Sequence, residues 1–207
     1  MLKIIGEYIE KSWLLIVSSF FFGLLLALAN TAWSGKIEQN KIDKLNGLMG
    51  SLIADASKFE LVLKDAQVNT GKGKITKSDI YRATTSDGNT AGFCFRAEGA
   101  GFADKIELVI AVDSAFNKIM GYSVLASNET PGFGDRITGD YFRRQFMGAP
   151  VGTLNLLKKG DDTKVDNDII AISGATVSST AVVNIFNNFL EQIRRQVSEK
   201  GLLSNGK

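Results

Sequence analysis

The sequence predicts an α+β protein: one N-terminal transmembrane helix, then a single domain with an antiparallel sheet and packed helices. Three observations lead there. Residues 13–33 carry no charged side chain. Residues 79–127 break into four short runs rich in β-branched and aromatic residues, separated by turn-forming clusters. From Thr176 to about Lys200, apolar residues recur at the three-and-four spacing of a helix face.

Residues 1–12 form a short segment of mixed charge, with Lys3 and Lys11 against Glu7 and Glu10. At the helical rise, the 13–33 stretch spans about 31 Å, close to the hydrocarbon thickness of a bilayer. Trp13 and Trp33 stand at its ends, where indoles favour the interface. The lipid bilayer is therefore an expected partner. A cleavable signal peptide is the rival reading, and Ala27-Leu28-Ala29 offers a small-x-small site. The length and the second Trp favour a retained anchor. Charge does not orient it: Lys3 and Lys11 lie on one side, and Lys36, Lys41 and Lys44 on the other.

Residues 34–78 read as a connecting helix and loop. Ile37, Ile42, Leu45, Leu48, Met49, Leu52 and Ile53 give residues 36–56 an amphipathic pattern. This helix is expected to continue out of the membrane and pack on the domain, and a partner-facing helix would show the same pattern. Apolar alternation in 60–77, followed by a Gly-Lys-Gly turn at 71–73, yields no firm assignment. The basic Lys72, Lys74 and Lys77 read as a solvated loop.

The domain proper is expected over 79–200. Its strands are 80–85, 90–97, 106–112 and 119–125, an antiparallel meander. A short helix follows at 140–147, with Phe142 and Phe146 four apart, and Pro150 ends it. Asp161, Asp162, Asp166 and Asp168 make a polar loop. A cation is a minor option there, because the EF-hand Gly and terminal Glu are missing. The final helix carries Val182, Val183, Ile185, Phe186, Phe189, Leu190, Ile193 and Val197 on its apolar face. Gly201 is a plausible stop, and 201–207 a frayed tail.

Composition removes whole classes of chemistry. The chain has 207 residues and a net charge of +2, so nothing argues for nucleic acid. It contains no histidine, which excludes Ser-His-Asp triads and His-ligated metals built from this chain alone. Its one cysteine, Cys94, allows neither an intrachain disulfide nor a four-Cys iron–sulfur cluster. Cys94 lies in an apolar alternating run and reads as a buried core thiol. Redox chemistry would have to come from a bound organic cofactor. Walker and G-x-G-x-x-G sequences are absent.

Two stretches carry chemistry. At Ser173-Gly174-Ala175-Thr176 an apolar run has just ended, small residues give a bend, and a helical pattern begins. Thr176 thus sits at a helix start, with Ser178, Ser179 and Thr180 just behind it. Open N–H groups and the positive dipole end favour a phosphate there. A Ser or Thr at that place is also an ordinary N-cap, and local chemistry alone favours the cap. The second stretch is Glu129-Thr130-Pro131-Gly132-Phe133-Gly134-Asp135-Arg136-Ile137. Pro131-Gly132 suits a turn whose second central residue has positive φ. Gly132 and Gly134 let the backbone approach a planar ligand closely. Phe133 either stacks on such a ligand or fills the core.

Ser-Gly-Ala-Thr opening a C-terminal helix resembles the flavinylation motif of the FMN-binding domain family. The G subunit of Rnf electron-transport complexes and the C subunit of Nqr complexes belong to it. The 129–137 stretch resembles that family's E-T-P-G-hydrophobic-G-D-basic-I loop, and Gly99-Ala100-Gly101-Phe102 before a strand is similar to its pattern too. The resemblance implies FMN held on Thr176 through a phosphoester, with Ser173, Gly174 and Ala175 completing the acceptor motif. Glu129, Thr130, Gly132, Phe133 and Gly134 would contact the ring or hold the loop. It implies a separate flavin transferase that uses FAD and Mg²⁺, and the other subunits of the complex as partners. It places the anchor in the cytoplasmic (inner) membrane and the domain on the extracytoplasmic side. The implied role is an electron relay in ferredoxin/NAD oxidoreduction coupled to Na⁺ or H⁺ translocation, with no independent active site. The C subunit of a Na⁺-translocating NADH:quinone reductase is the alternative within the class, though the compact length favours Rnf. A non-redox, membrane-anchored assembly protein is the alternative outside it. Two departures stand out: Ile170 replaces an Asp often found six residues before the acceptor Thr, with Asp168 the nearest candidate. Ser127-Asn128 stands where a His is often found.

Overall fold

A computed structural model of the chain describes residues 2–71 and 74–203. Lys72 and Gly73 of the expected 71–73 turn, and 204–207 of the expected tail, lie outside the described residues. The chain divides into two units, residues 1–44 and 45–207.

Helix α1 (Leu2–Leu52) runs without a break through the apolar stretch and the amphipathic one. No proline interrupts it. It is the one helix among the described residues long and apolar enough to cross a membrane. Its large apolar side chains are exposed, among them Leu14, Leu15, Phe20, Phe22 and Leu26. The helix stops at Leu52, short of the expected 56, because the chain must reverse at 53–57 to enter the sheet. The N–H of Ile53 still donates to the carbonyl of Met49, at 3.1 Å.

In the second unit five strands form one antiparallel sheet in sequence order: β1 (Lys58–Asn69), β2 (Ile75–Thr84), β3 (Thr90–Ala100), β4 (Lys105–Asp113) and β5 (Ile119–Ala126). The expected meander is present. The boundary at residue 79 needs correction: 58–69 and 75–78, expected to be connection, are strand. The β1 register shifts twice, between Leu61 and Leu63 and between Leu63 and Ala66, and Asp65 has φ 53°. Two bulges put the apolar residues out of phase, so simple alternation could not reveal the strand.

Strand β4 is buried at every position from Leu108 to Val112. Both sheet faces are covered, so alternation gives way to a continuous apolar run. On one face α3 (Thr176–Glu199) packs over Phe93, Phe95, Leu108, Ile110 and Tyr122. On the other, Met49 and Ile53 pack over Ala83, Cys94, Val109 and Ala111. Burial pushes the Cys94 thiol up to about 12, which keeps it protonated and unreactive at neutral pH.

After β5 come a 3₁₀ turn (Gly134–Thr138), α2 (Asp140–Arg143) and a second 3₁₀ turn (Arg144–Phe146). The short helix expected at 140–147 is therefore one α turn tightened into 3₁₀. Strands β6 (Asn155–Leu157) and β7 (Asp168–Ile170) form a small parallel pair, too short to read from sequence. Between them the aspartates are occupied. Asp161 accepts from Thr163, Asp162 pairs with Arg144 at 3.0 Å, and Asp166 accepts the Asp168 N–H. Among the described residues no His, Cys, Asp or Glu group is arranged to hold a metal ion.

Three carboxamides act as clamps, each pairing with both backbone groups of one distant residue. Gln192 holds Asn69 on edge strand β1, Asn187 holds Leu154, and buried Gln145 holds Ile170 at 2.7 and 3.2 Å. Gln145 thereby fixes β7, which leads into the turn before α3. Gln145→Leu leaves a buried N–H and C=O without partners and is expected to cost about 2–3 kcal/mol. Half-exposed Gln196 makes one bond to Gln67, and Gln196→Leu should cost under about 1 kcal/mol. Urea denaturation midpoints compare the two, and equal losses would contradict the clamp.

Candidate functional site

Four segments meet at the N-terminus of α3: the β3–β4 turn at 99–104, the loop at 129–138, the turn at 172–175, and the first helical turn. Each is shaped by local chemistry. The N–H of Phe133 donates to the Thr130 carbonyl at 3.2 Å, and Gly132 has φ +77°, the turn geometry that Pro131-Gly132 predicts. A second such turn closes when the Ala175 N–H donates to Ile172 at 3.0 Å, with Gly174 at φ +81°. Buried Tyr122 donates its hydroxyl to Ile137 at 2.7 Å and anchors the loop's far end; burial pushes its phenol up.

Three contacts join the loop to the acceptor turn. Phe133 lies against Gly174, where an added Cβ would stand 3.6 Å from its ring. Arg136 donates to the Ser173 carbonyl at 3.3 Å and also lies over Tyr141. Ser178 donates its hydroxyl to Oε2 of Glu129. The other oxygen, Oε1, accepts the N–H groups of Phe102 and Ala103 at 2.9 and 3.0 Å. Glu129 is 6% exposed, so this carboxylate is a buried junction of three segments. The Ser127-Asn128 pair is occupied nearby: the Ser127 oxygen accepts the Glu129 N–H at 3.3 Å, and Asn128 donates to Asp104 at 2.8 Å.

Thr176 is the first residue of α3, and Ala175 is its N-cap, with no side-chain capping bond. The expectation that local chemistry favours a capping Thr is therefore overturned. Ala175 is itself part of the core, and its N–H closes the turn on Ile172. Thr176 is exposed, and its hydroxyl makes no hydrogen bond among the described residues. The hydroxyls behind it are all committed. Ser178 serves Glu129, Ser179 bonds Ala175 and Ile172, and Thr180 bonds the Thr176 carbonyl. The first helical N–H accepted within the chain is that of Ser179, so those of Thr176, Val177 and Ser178 stay open to an anion.

Ser173, Gly174, Ala175, Thr176, Glu129, Phe133 and Gly134 are thus brought together. Thr130 and Gly132 sit on the exposed limb of the loop, and no described contact joins them to the acceptor turn. Ile170, in the place of the missing Asp, lies on β7, and Asp168 bonds Asn155 at 2.9 Å. The sequence placed Ser178 behind Thr176 and Phe102 in a family-like stretch but assigned no role to Ser178 or to the Phe102 and Ala103 amides. The only available signal was that Ser178 follows Thr176 by two.

A phosphate-bearing aromatic cofactor fits these residues. The phosphate finds a free hydroxyl and open N–H groups. A planar ring finds exposed Phe102, Phe133 and Val177 on the same elements, at 67, 58 and 54% exposure. A groove of about 840 Å³ begins one turn along α3, lined by Gly99, Gly101, Phe102, Asn184 and Ile185 among others; Thr176 is not part of it.

The glycines are distinguishable by substitution. A Cβ at Gly134 would stand 2.7 Å from Glu129 Oε2 and from Ser178 Oγ, whereas Gly132 has open space and only its positive φ. Gly134→Ala is expected to cost about 2–3 kcal/mol and Gly132→Ala about 1 kcal/mol, by thermal unfolding. A smaller loss at Gly134 than at Gly132 would refute the close packing around Glu129.

Residues 101–191, from the β3–β4 turn into α3, match the FMN-binding domain family. The G subunit of the ion-translocating oxidoreductase complex of Methanosarcina acetivorans is 29% identical, over 88% of this chain and 92% of its own. The G subunit of the proton-translocating ferredoxin:NAD(+) oxidoreductase complex of Clostridium ljungdahlii is 31% identical, over 86% of this chain and 88% of its own. Its counterpart in the Na(+)-translocating ferredoxin:NAD(+) oxidoreductase complex of Acetobacterium woodii is 28% identical, over 84% and 86%. The chain belongs to the FMN-binding domain family, among the G subunits of ion-translocating (Rnf) oxidoreductase complexes. Its fold is that of Shewanella oneidensis NqrC, with a TM-score of 0.56 at 21% identity over 70% of this chain and 73% of that one.

Proposed function

We propose that this chain is a membrane-anchored flavoprotein subunit of an Rnf-type complex, relaying electrons between partner subunits through FMN esterified to Thr176. The carrying observation is the Thr176 hydroxyl: exposed, free of any capping role, and set at the open N-terminus of α3. FMN would supply the redox chemistry, for which a chain without histidine and with one buried cysteine has no substitute. The protein's part is to hold it. The N–H groups of the first turn would bind the phosphate, and Phe133 and Val177 would shield the ring. A tether keeps the cofactor at high effective concentration on the extracytoplasmic side, where lost FMN is not replaced. Helix α1 provides the anchor in the cytoplasmic membrane, with 13–33 as the span. A flavin transferase would make the ester, and the complex would couple ferredoxin/NAD electron exchange to Na⁺ or H⁺ movement.

Co-expression of the full chain with a flavin transferase tests the reading. Intact mass is expected to show one FMN less one water, and native-membrane pull-down should recover the other subunits of the complex. A colourless, unmodified chain purified from its own membrane would overturn it.

A further inference from the structure

Glu129 is a buried carboxylate held only by neutral donors; no ion pair reaches it among the described residues. Taking a carboxylate out of water costs several kcal/mol, so its three charge-assisted bonds must be well formed. Space for it is reserved by two glycines in different segments. An added Cβ at Gly101 would run into Oε1, and one at Gly134 would crowd Oε2 and Ser178 Oγ. Its third bond goes to Ser178, two residues after Thr176 in the same helical turn. Ser179 pins the same turn to Ile172 and Ala175. Glu129 thus braces, through Ser178, the turn of α3 that carries Thr176, alongside Ser179 and the buried face of the helix.

We propose that Glu129 and Ser178 form a latch that positions Thr176 for flavin transfer, with Glu129 acting through Ser178 rather than touching the flavin. This rests on the reading of Thr176 as acceptor. In the transfer, Thr176 Oγ1 bonds to the FMN-side phosphorus of FAD as the phosphoanhydride bond breaks. AMP leaves, and the hydroxyl proton passes to solvent. The latch contributes orientation of the nucleophile, so its loss acts on the rate of the bound complex more than on binding. A glutamine at 129 preserves the latch. Its carbonyl oxygen still accepts from Phe102 and Ala103, and its amide donates to Ser178, whose hydroxyl turns acceptor.

The test is flavinylation of the full chain in lipid nanodiscs by a flavin transferase with FAD and Mg²⁺, followed by intact mass. Ser178→Ala should lower kcat at least about tenfold, with KM for the chain within about twofold. Glu129→Ala should fall as far, and Glu129→Gln should stay within about threefold of wild type. Circular dichroism identifies any variant that has not folded, and Ser178→Ala with Glu129→Gln decides the matter if Glu129→Ala does not fold. Wild-type kcat in Ser178→Ala overturns the latch. So does Glu129→Gln as slow as Glu129→Ala, which would make the charge itself the agent. A wild-type chain that takes no FMN overturns the acceptor reading and the latch with it; a modified wild type with an indifferent Ser178 overturns the latch alone.

Discussion

Thr176→Ala is expected to abolish covalent flavin. Expressed with a flavin transferase, the variant should give less than about 1% of wild-type fluorescence on a denaturing gel, because no ester forms without an acceptor oxygen. Neighbouring hydroxyls offer no rescue: Ser178, Ser179 and Thr180 each donate within the chain. The loss should come with little change in stability, within about 0.5 kcal/mol, since Thr176 is exposed and caps nothing. Thr176→Ser keeps the nucleophile and should retain modification within about tenfold. Undiminished fluorescence in Thr176→Ala would reject this acceptor, and peptide mapping would then examine exposed Ser173 first.

Phe186→Ala is expected to be the most destabilising substitution, by about 3–5 kcal/mol. Phe186 is fully buried on α3, stacked on Phe146 at 4.7 Å and edge-on to Tyr122 at 5.6 Å. Tyr122 in turn holds Ile137, and Phe146 packs on Phe142 at 5.4 Å. The cluster joins α3, β5 and the turns after the 129–138 loop, so a cavity there cannot collapse without moving all three. The exposed Val177→Ala on the same helix should cost under about 0.5 kcal/mol. Thermal unfolding of both variants provides the comparison, and a loss below about 1.5 kcal/mol at Phe186 would show that the cluster is not the core's centre.

Much of this was legible in the chain itself. The anchor, strands β3 to β5, α3 and both motifs follow from periodicity, turn residues and resemblance, all of which live in neighbouring residues. Strand β1 was hidden by its two bulges, and β6 and β7 by their length. The role of Glu129 was open because its partners lie 26, 27 and 49 residues away.

What the sequence determined alone is the inventory: an apolar span, an antiparallel meander, a terminal amphipathic helix, and a Ser-Gly-Ala-Thr turn in a chain without redox side chains of its own. Local pattern suffices for these, because helical and strand periods and glycine-permitted turns are properties of adjacent residues. Only the tertiary structure decided which hydroxyl stays free. A carboxylate from a distant loop claimed Ser178, and Arg136 of that loop, 37 residues from Ser173, ties the turn before Thr176. Both are outcomes of packing between segments far apart in sequence, where satisfying buried polar groups outweighs local preference.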